Sequence, residues 1–172
     1  GPGIQGDAAS AEIRDRLEAK TYLHRGLRVV FVDETQKPCV REEFAHDGGL
    51  ADYLLKVVAE RAKTPTHASG FVLVRDAEPR LELSLQWTES TDEHFRSWVN
   101  GIPTSSGGTQ ESGLKAGIVK AVRNHLGTHA LLPKGVTPSA EDIREGLVAL
   151  LSVYVLEPQF QGQTKERLNN PE

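Results

Sequence analysis

Residues 147–156 read Leu-Val-Ala-Leu-Leu-Ser-Val-Tyr-Val-Leu, a strongly apolar run broken only by Ser152. The run is rich in β-branched residues and far short of the roughly 18 residues that cross a membrane. It predicts a strand buried on both faces at the centre of a sheet. A central strand needs flanking strands, and a sheet needs helices to cover it. Residues 80–87 supply one flank. There Leu81, Leu83 and Leu85 share one face and Glu82 and Ser84 the other, the alternation of a half-buried strand. Residues 70–75 form a second strand, joined to it by a turn holding Asp76, Glu78 and Pro79. Residues 95–102 alternate as a third.

Helices are legible by their period. Thr109 is placed to cap a long helix to about Leu126, with Leu114, Ile118, Ala121, Val122 and His125 near one face and Gly127 as its C-cap. Ser139 followed by Glu141 and Asp142 opens a short helix with acids in its first turn. Upstream, Ser10 begins a helix to about Leu23 with Ile13 and Leu17 as a thin apolar stripe, ended by Gly26. Residues 27–32 read as a strand, 39–46 as its hairpin partner, and 50–61 as a helix carrying Leu50, Tyr53, Leu54, Val57 and Val58 at helical spacing. The segment 62–67, centred on Pro65, is the best internal boundary.

Composition narrows the function classes. With 38% hydrophobic and 26% charged residues the chain is globular, and its net charge of −4 does not grip a polyanion in bulk. Any nucleic-acid contact must be a local patch. A single cysteine, Cys39, excludes an internal disulfide and a cysteine-based metal cluster. The six histidines show no paired ligand spacing, so no metal site is expected. No signal peptide or membrane span is visible, and a cytoplasmic protein is expected. Gly1-Pro2 has the look of a protease-cleavage scar, and residues 1–9 are set aside as a remnant or linker.

Several words recur in a set order. They are Lys63-Thr64-Pro65, Leu85-Gln86-Trp87, Val99-Asn100, Gly107-Gly108-Thr109 with Gly113-Leu114, Asp142-Ile143-Arg144-Glu145-Gly146-Leu147, and Pro158 through Lys165. Arg16-Leu17, Leu23, Gly26-Leu27, Phe44 and Gly48-Gly49 continue the series upstream. Together, over about 150 residues, they resemble the ATPase subunit of bacterial type II DNA topoisomerases, gyrase B and its topoisomerase IV counterpart. Gln110 and Leu114 stand where that family usually has His and Phe.

The resemblance implies an α/β (α+β) fold. Residues 10–62 would be the C-terminal part of a GHKL ATPase lobe, a helix-and-strand remnant. Residues 63–172 would be a transducer domain like the second domain of ribosomal protein S5, a mostly four-stranded sheet with helices on one face. The family's nucleotide-pocket motifs are absent, so the chain is expected to be an inactive fragment that binds no cofactor itself. The parent would use ATP and Mg²⁺, dimerise, and work with a DNA-cleaving partner subunit and DNA.

The resemblance also assigns roles. Lys165 contacts the γ-phosphate with help from Gln163, and the loop Gln163-Thr164-Lys165 couples hydrolysis to domain rotation and strand passage. From the residues alone, Lys165 reads as a solvated lysine in a polar tail, and the surrounding motifs turn the reading toward the phosphate sensor. Lys115, Lys120 and Arg123 are candidate DNA contacts; Lys120 and Arg123 are surface neighbours, while Lys115 is expected to turn away from them. Ordinary helix solubility is the alternative. Gly107-Gly108-Thr109 could be a phosphate nest or simply a turn and cap. Arg144 and Glu145 read as a structural corner. The rival for the whole chain is a non-enzymatic transducer-like module that binds protein or DNA.

Overall fold

The computed structural model describes residues 3–61, 63–159 and 167–170, with side chains from residue 8 onward. The chain divides into two compact units, Gly1–Lys56 and Val57–Glu172.

The first unit holds helix α1 (Gly3–Leu23), the antiparallel pair β1 (Arg28–Asp33) and β2 (Val40–Ala45), and most of α2 (Leu50–Glu60). The α1 helix begins before Ser10, which lies inside it and bonds Asp33 at 2.7 Å instead of capping. Residues 3–9 therefore continue the helix; Ala8 and Ala9 favour it, there is no proline, and Gly3 and Gly6 weaken it without ending it. The buried face of α1 is not the Ile13 stripe, since Ile13 is 53% exposed. It is Glu18, Thr21, Tyr22 and Leu23. Polar residues can occupy it because each is satisfied. Glu18 accepts from Lys56 at 2.7 Å, and Thr21 Oγ1 donates to the Glu18 carbonyl at 2.6 Å. Tyr22 is stacked between His46 and Tyr53, with ring centroids 3.7 and 4.5 Å away.

The second unit is a five-stranded sheet in the order β3-β4-β7-β5-β6. Its strands are β3 (Phe71–Arg75), β4 (Arg80–Trp87), β5 (His94–Val99), β6 (Ile102–Pro103) and β7 (Leu147–Tyr154). As its composition demands, β7 is central. It pairs antiparallel with β4, Arg80 opposite Tyr154 and Trp87 opposite Leu147, and parallel with β5. The expected strand over 95–102 is broken by Asn100-Gly101, with φ of 51° and 76°, so a two-residue turn folds β6 back on β5. That turn is the source of the fifth strand.

Helices α3 (Thr109–Thr128) and α4 (Ala140–Arg144) pack on one face, where Ile118, Val119 and Ile143 meet Leu83, Leu85, Leu147, Ala149, Leu151 and Val153. Burial of this set, at about 25 cal/mol per Å² of apolar surface, is the main stabilising term of the unit. Strand β4 is not half-exposed as its alternation suggests. Ser84 and Gln86 on its other face are also buried, and Gln86 donates to the His67 carbonyl at 2.9 Å.

The α4 helix starts as read, with a capping box in which Ser139 and Asp142 bond each other's backbone. The α3 helix does not. Thr109 is its first residue, Gly108 is the N-cap without a side-chain bond, and the C-cap is His129, not Gly127. Ala130 follows at φ 50°, with Ala130 N–H bonded to the Gly127 carbonyl and Leu131 N–H to the Leu126 carbonyl, a Schellman ending.

Candidate functional site

Two places in the second unit concern the residues singled out in the sequence. The first is the N-terminus of α3. Gly107 and Gly108 have φ of 70° and 139°, and a Cβ on Gly108 would lie 2.4 Å from the Leu168 carbonyl oxygen. Only glycine lets the backbone come so close. Leu168, 3% exposed, forms a bridge there: its N–H bonds the Gly107 carbonyl at 3.2 Å, and its carbonyl accepts from Thr109 N–H at 3.0 Å. The Thr109 amide thus has a partner within the chain, which favours a structural turn over a phosphate nest.

Nearby, Asn169 N–H bonds the Gln159 carbonyl at 2.6 Å. Asn170 accepts from Gln159 N–H and donates to the Glu157 carbonyl. Gln163, Thr164 and Lys165 lie outside the described residues. The residues on either side of them, Gln159 and 167–170, are tied to each other and to the start of α3. This clasp was missed in the sequence; the glycine pair was its only signal.

Beside the clasp is a polar cluster. Gln110 Nε2 donates to Thr104 Oγ1 at 3.0 Å and Ser97 Oγ at 3.2 Å, and Ser97 Oγ donates to Glu111 at 2.7 Å. Gln110 Oε1 is buried with no hydrogen-bond partner among the described residues. An amide fills this place without titrating near neutral pH.

The second place is a groove of about 460 Å³ between α3 and α4, lined by Lys115, Lys120, Arg123, Asn124 and Arg144 over Ala116, Val119 and Ala140. All three candidate DNA contacts line it. Lys115 does not turn away; its ammonium lies 4.7 Å from the Phe95 ring centroid, on the groove side. Arg144 was read as a corner residue and does hold the corner, its Nε donating to the Ala140 carbonyl at 3.3 Å. Its guanidinium also joins the groove. Lys115 and Arg144 share one acid, Glu93, at 3.7 and 3.3 Å. Arg123 donates to the Pro138 carbonyl at 3.0 and 3.3 Å, a neutral acceptor that leaves its charge in place. Four cations around one concavity can hold an anion such as phosphate.

The corner behind α4 is structural. The Trp87 indole donates to the Ile143 carbonyl at 2.8 Å, and Thr88 donates twice to the Gly146 carbonyl. At the other end of the loop after β4, Asp92 accepts from Lys63 at 2.6 Å and lies near Arg61 at 3.3 Å. Hydrogen bonds from Lys63 and Ser90 hold its carboxyl well below the usual carboxylate range.

ATP and Mg²⁺ are what the family resemblance implies. Among the described residues no group of three or more His, Cys, Asp or Glu could hold a metal ion. No described helix is long and apolar enough to cross a membrane.

Comparison with known proteins gives a consistent picture. The family model described as DNA gyrase B matches residues 49–172. DNA gyrase B of Chlamydia muridarum is 34% identical over 164 residues, which cover 93% of this chain and 20% of that protein. The B-type subunit of DNA topoisomerase 4 from Pseudomonas aeruginosa is 37% identical over 163 residues, covering 94% and 25%. The 43K ATPase domain of Thermus thermophilus gyrase B, solved with an aminocoumarin, superposes with a TM-score of 0.81 at 28% identity, covering 94% of this chain and 43% of that one. The chain thus spans about a fifth to a quarter of the length of the two full-length relatives. Matched by the family model over most of its length, and sharing the fold of part of a gyrase B ATPase domain, the chain belongs to the DNA gyrase B family.

Proposed function

We propose that the chain acts as the transducer region of an ATP-dependent type II DNA topoisomerase subunit. In this reading residues 10–62 end a GHKL ATPase lobe and residues 63–172 form the transducer. Lys165, with Gln163 and Thr164, contacts the ATP γ-phosphate. The whole subunit uses ATP and Mg²⁺, dimerises, and works with a DNA-cleaving partner subunit and DNA. Lys115, Lys120 and Arg123 contact backbone phosphates of a DNA segment.

One observation carries the reading. The residues flanking Gln163-Thr164-Lys165 are bonded through Leu168 to the first turn of α3, and α3 bears the cationic groove further along. A phosphate contact made at Lys165 would pull on the helix that carries the DNA-binding candidates, which is the link a transducer needs.

The test uses the whole subunit carrying this sequence. Lys165→Ala is expected to lower affinity for a non-hydrolysable ATP analogue and to abolish ATP-driven strand passage; unchanged affinity and strand passage would remove the sensor role. The 172-residue chain alone is expected to turn over no ATP, and Lys165-dependent turnover by it would overturn the assignment of the pocket to other sequence.

A further inference from the structure

We propose that Glu93 is an internal counter-ion of the α3–α4 groove, which a nucleic-acid phosphate displaces in order to bind there. The inference rests on reading the groove as a contact for the DNA backbone.

Glu93 immediately precedes β5 and reaches the groove from the sheet side. Its carboxylate lies 3.7 Å from the Lys115 ammonium and 3.3 Å from the Arg144 guanidinium. None of the described residues lining the groove is an acid. Both cations are held in place by neutral groups as well, Lys115 by the Phe95 ring and Arg144 by the Ala140 carbonyl. They are thus positioned without Glu93, and its carboxylate occupies the place between them that an anion would take.

The side chains of Glu93 and Lys115 are 36% and 32% exposed, so solvent and an incoming phosphate reach the pair. Partly exposed ion pairs of this length are weak and exchange readily. A backbone phosphodiester matches a carboxylate in its single charge and two free oxygens, so it can take the same place at Arg144, and neighbouring phosphates on the strand can reach Lys120 and Arg123 at the same time. Glu93 would then set how tightly and how salt-sensitively the groove holds DNA, while keeping the two cations paired when DNA is absent.

The experiment is fluorescence anisotropy of a labelled duplex with the 172-residue chain across a salt series, using Glu93→Gln, Glu93→Gln with Lys115→Gln, and Glu89→Gln. The Glu89→Gln variant makes the same charge change on a neighbouring exposed acid. Glu93→Gln is expected to tighten binding about three- to fivefold. It is also expected to steepen the salt slope by up to about one, because no displaced carboxylate is left to take up a cation as DNA binds. Adding Lys115→Gln cancels the gain, and Glu89→Gln shows little of it. Equal or weaker binding by folded Glu93→Gln, or an equal gain from Glu89→Gln, overturns the proposal.

Tripolyphosphate, measured in parallel, separates the two ideas. If no variant binds duplex but Glu93→Gln binds tripolyphosphate more tightly, the counter-ion stands and the DNA reading falls. If duplex binding needs Lys115, Lys120 and Arg123 but ignores Glu93, the reverse holds. Should Glu93→Gln fail to fold, Glu93→Asp, one methylene shorter, is expected to give the same gain in smaller measure; no gain from it overturns the proposal.

Discussion

Ala130 adopts φ 50° at the end of α3, in the position helices usually give to glycine. A Cβ in that conformation costs about 1–2 kcal/mol, offset in part by the lower entropy of alanine in the unfolded chain. Ala130→Gly is therefore expected to stabilise the protein by about 0.5–1 kcal/mol, seen as a rise of a few degrees in Tm. His94 acts in the opposite direction. Burial first, then Arg61, Arg96 and Lys63, push its imidazole down from 6.5 to about 4, while nearby Asp92 pulls the other way. The folded protein keeps the ring neutral where the unfolded chain would protonate it. Stability is thus full above about pH 6.5 and falls as pH drops toward 4. Replacement by Gln should flatten that part of a stability–pH profile measured by urea midpoints, and leave the neutral range little changed.

At the scale of elements, the junction of α3 with Leu168 is among the tightest backbone approaches of the described residues. Gly108→Ala would press a methyl group onto the Leu168 backbone at a φ of 139°. It is expected to cost more than about 2 kcal/mol and to expose the Leu168 amide, read by hydrogen exchange. This junction also marks where sequence reading ran out. Apolar patterning located β4, β7 and α2, and a capping signal the start of α4, to within a residue or two, because these signals lie within each element; the burial of the second face of β4 depends on other segments and was misread. The Asn100-Gly101 turn was written in the sequence and overlooked. Leu168 was not legible, because a buried leucine in a polar stretch carries no period; only a partner sixty residues away explains it. Likewise the Glu93–Lys115–Arg144 cluster joins a loop residue to two helices, and the five residues from Lys115 to Lys120 set Lys115 apart where the eight to Arg123 bring it back to the same side.

At the scale of the molecule, the second unit depends on β7. Leu147, Val148, Ala149 and Leu150 are fully buried, and both neighbouring strands are joined only through β7. Leu150→Ala should cost about 2–5 kcal/mol, measured as a drop in the urea midpoint with an unchanged slope. The order of the strands has a further consequence, for how the protein is made. The strands β4 and β5 leave the ribosome well before β7, yet Arg80 finds its partner only at Tyr154, and His94 only at Val148. Until residue 154 has emerged, β4 and β5 have no strand between them and their apolar faces stay open. Folding of this unit is therefore non-local and slow, concentrated after the last strand is synthesised, and the exposed interval is when a nascent chain most needs a chaperone.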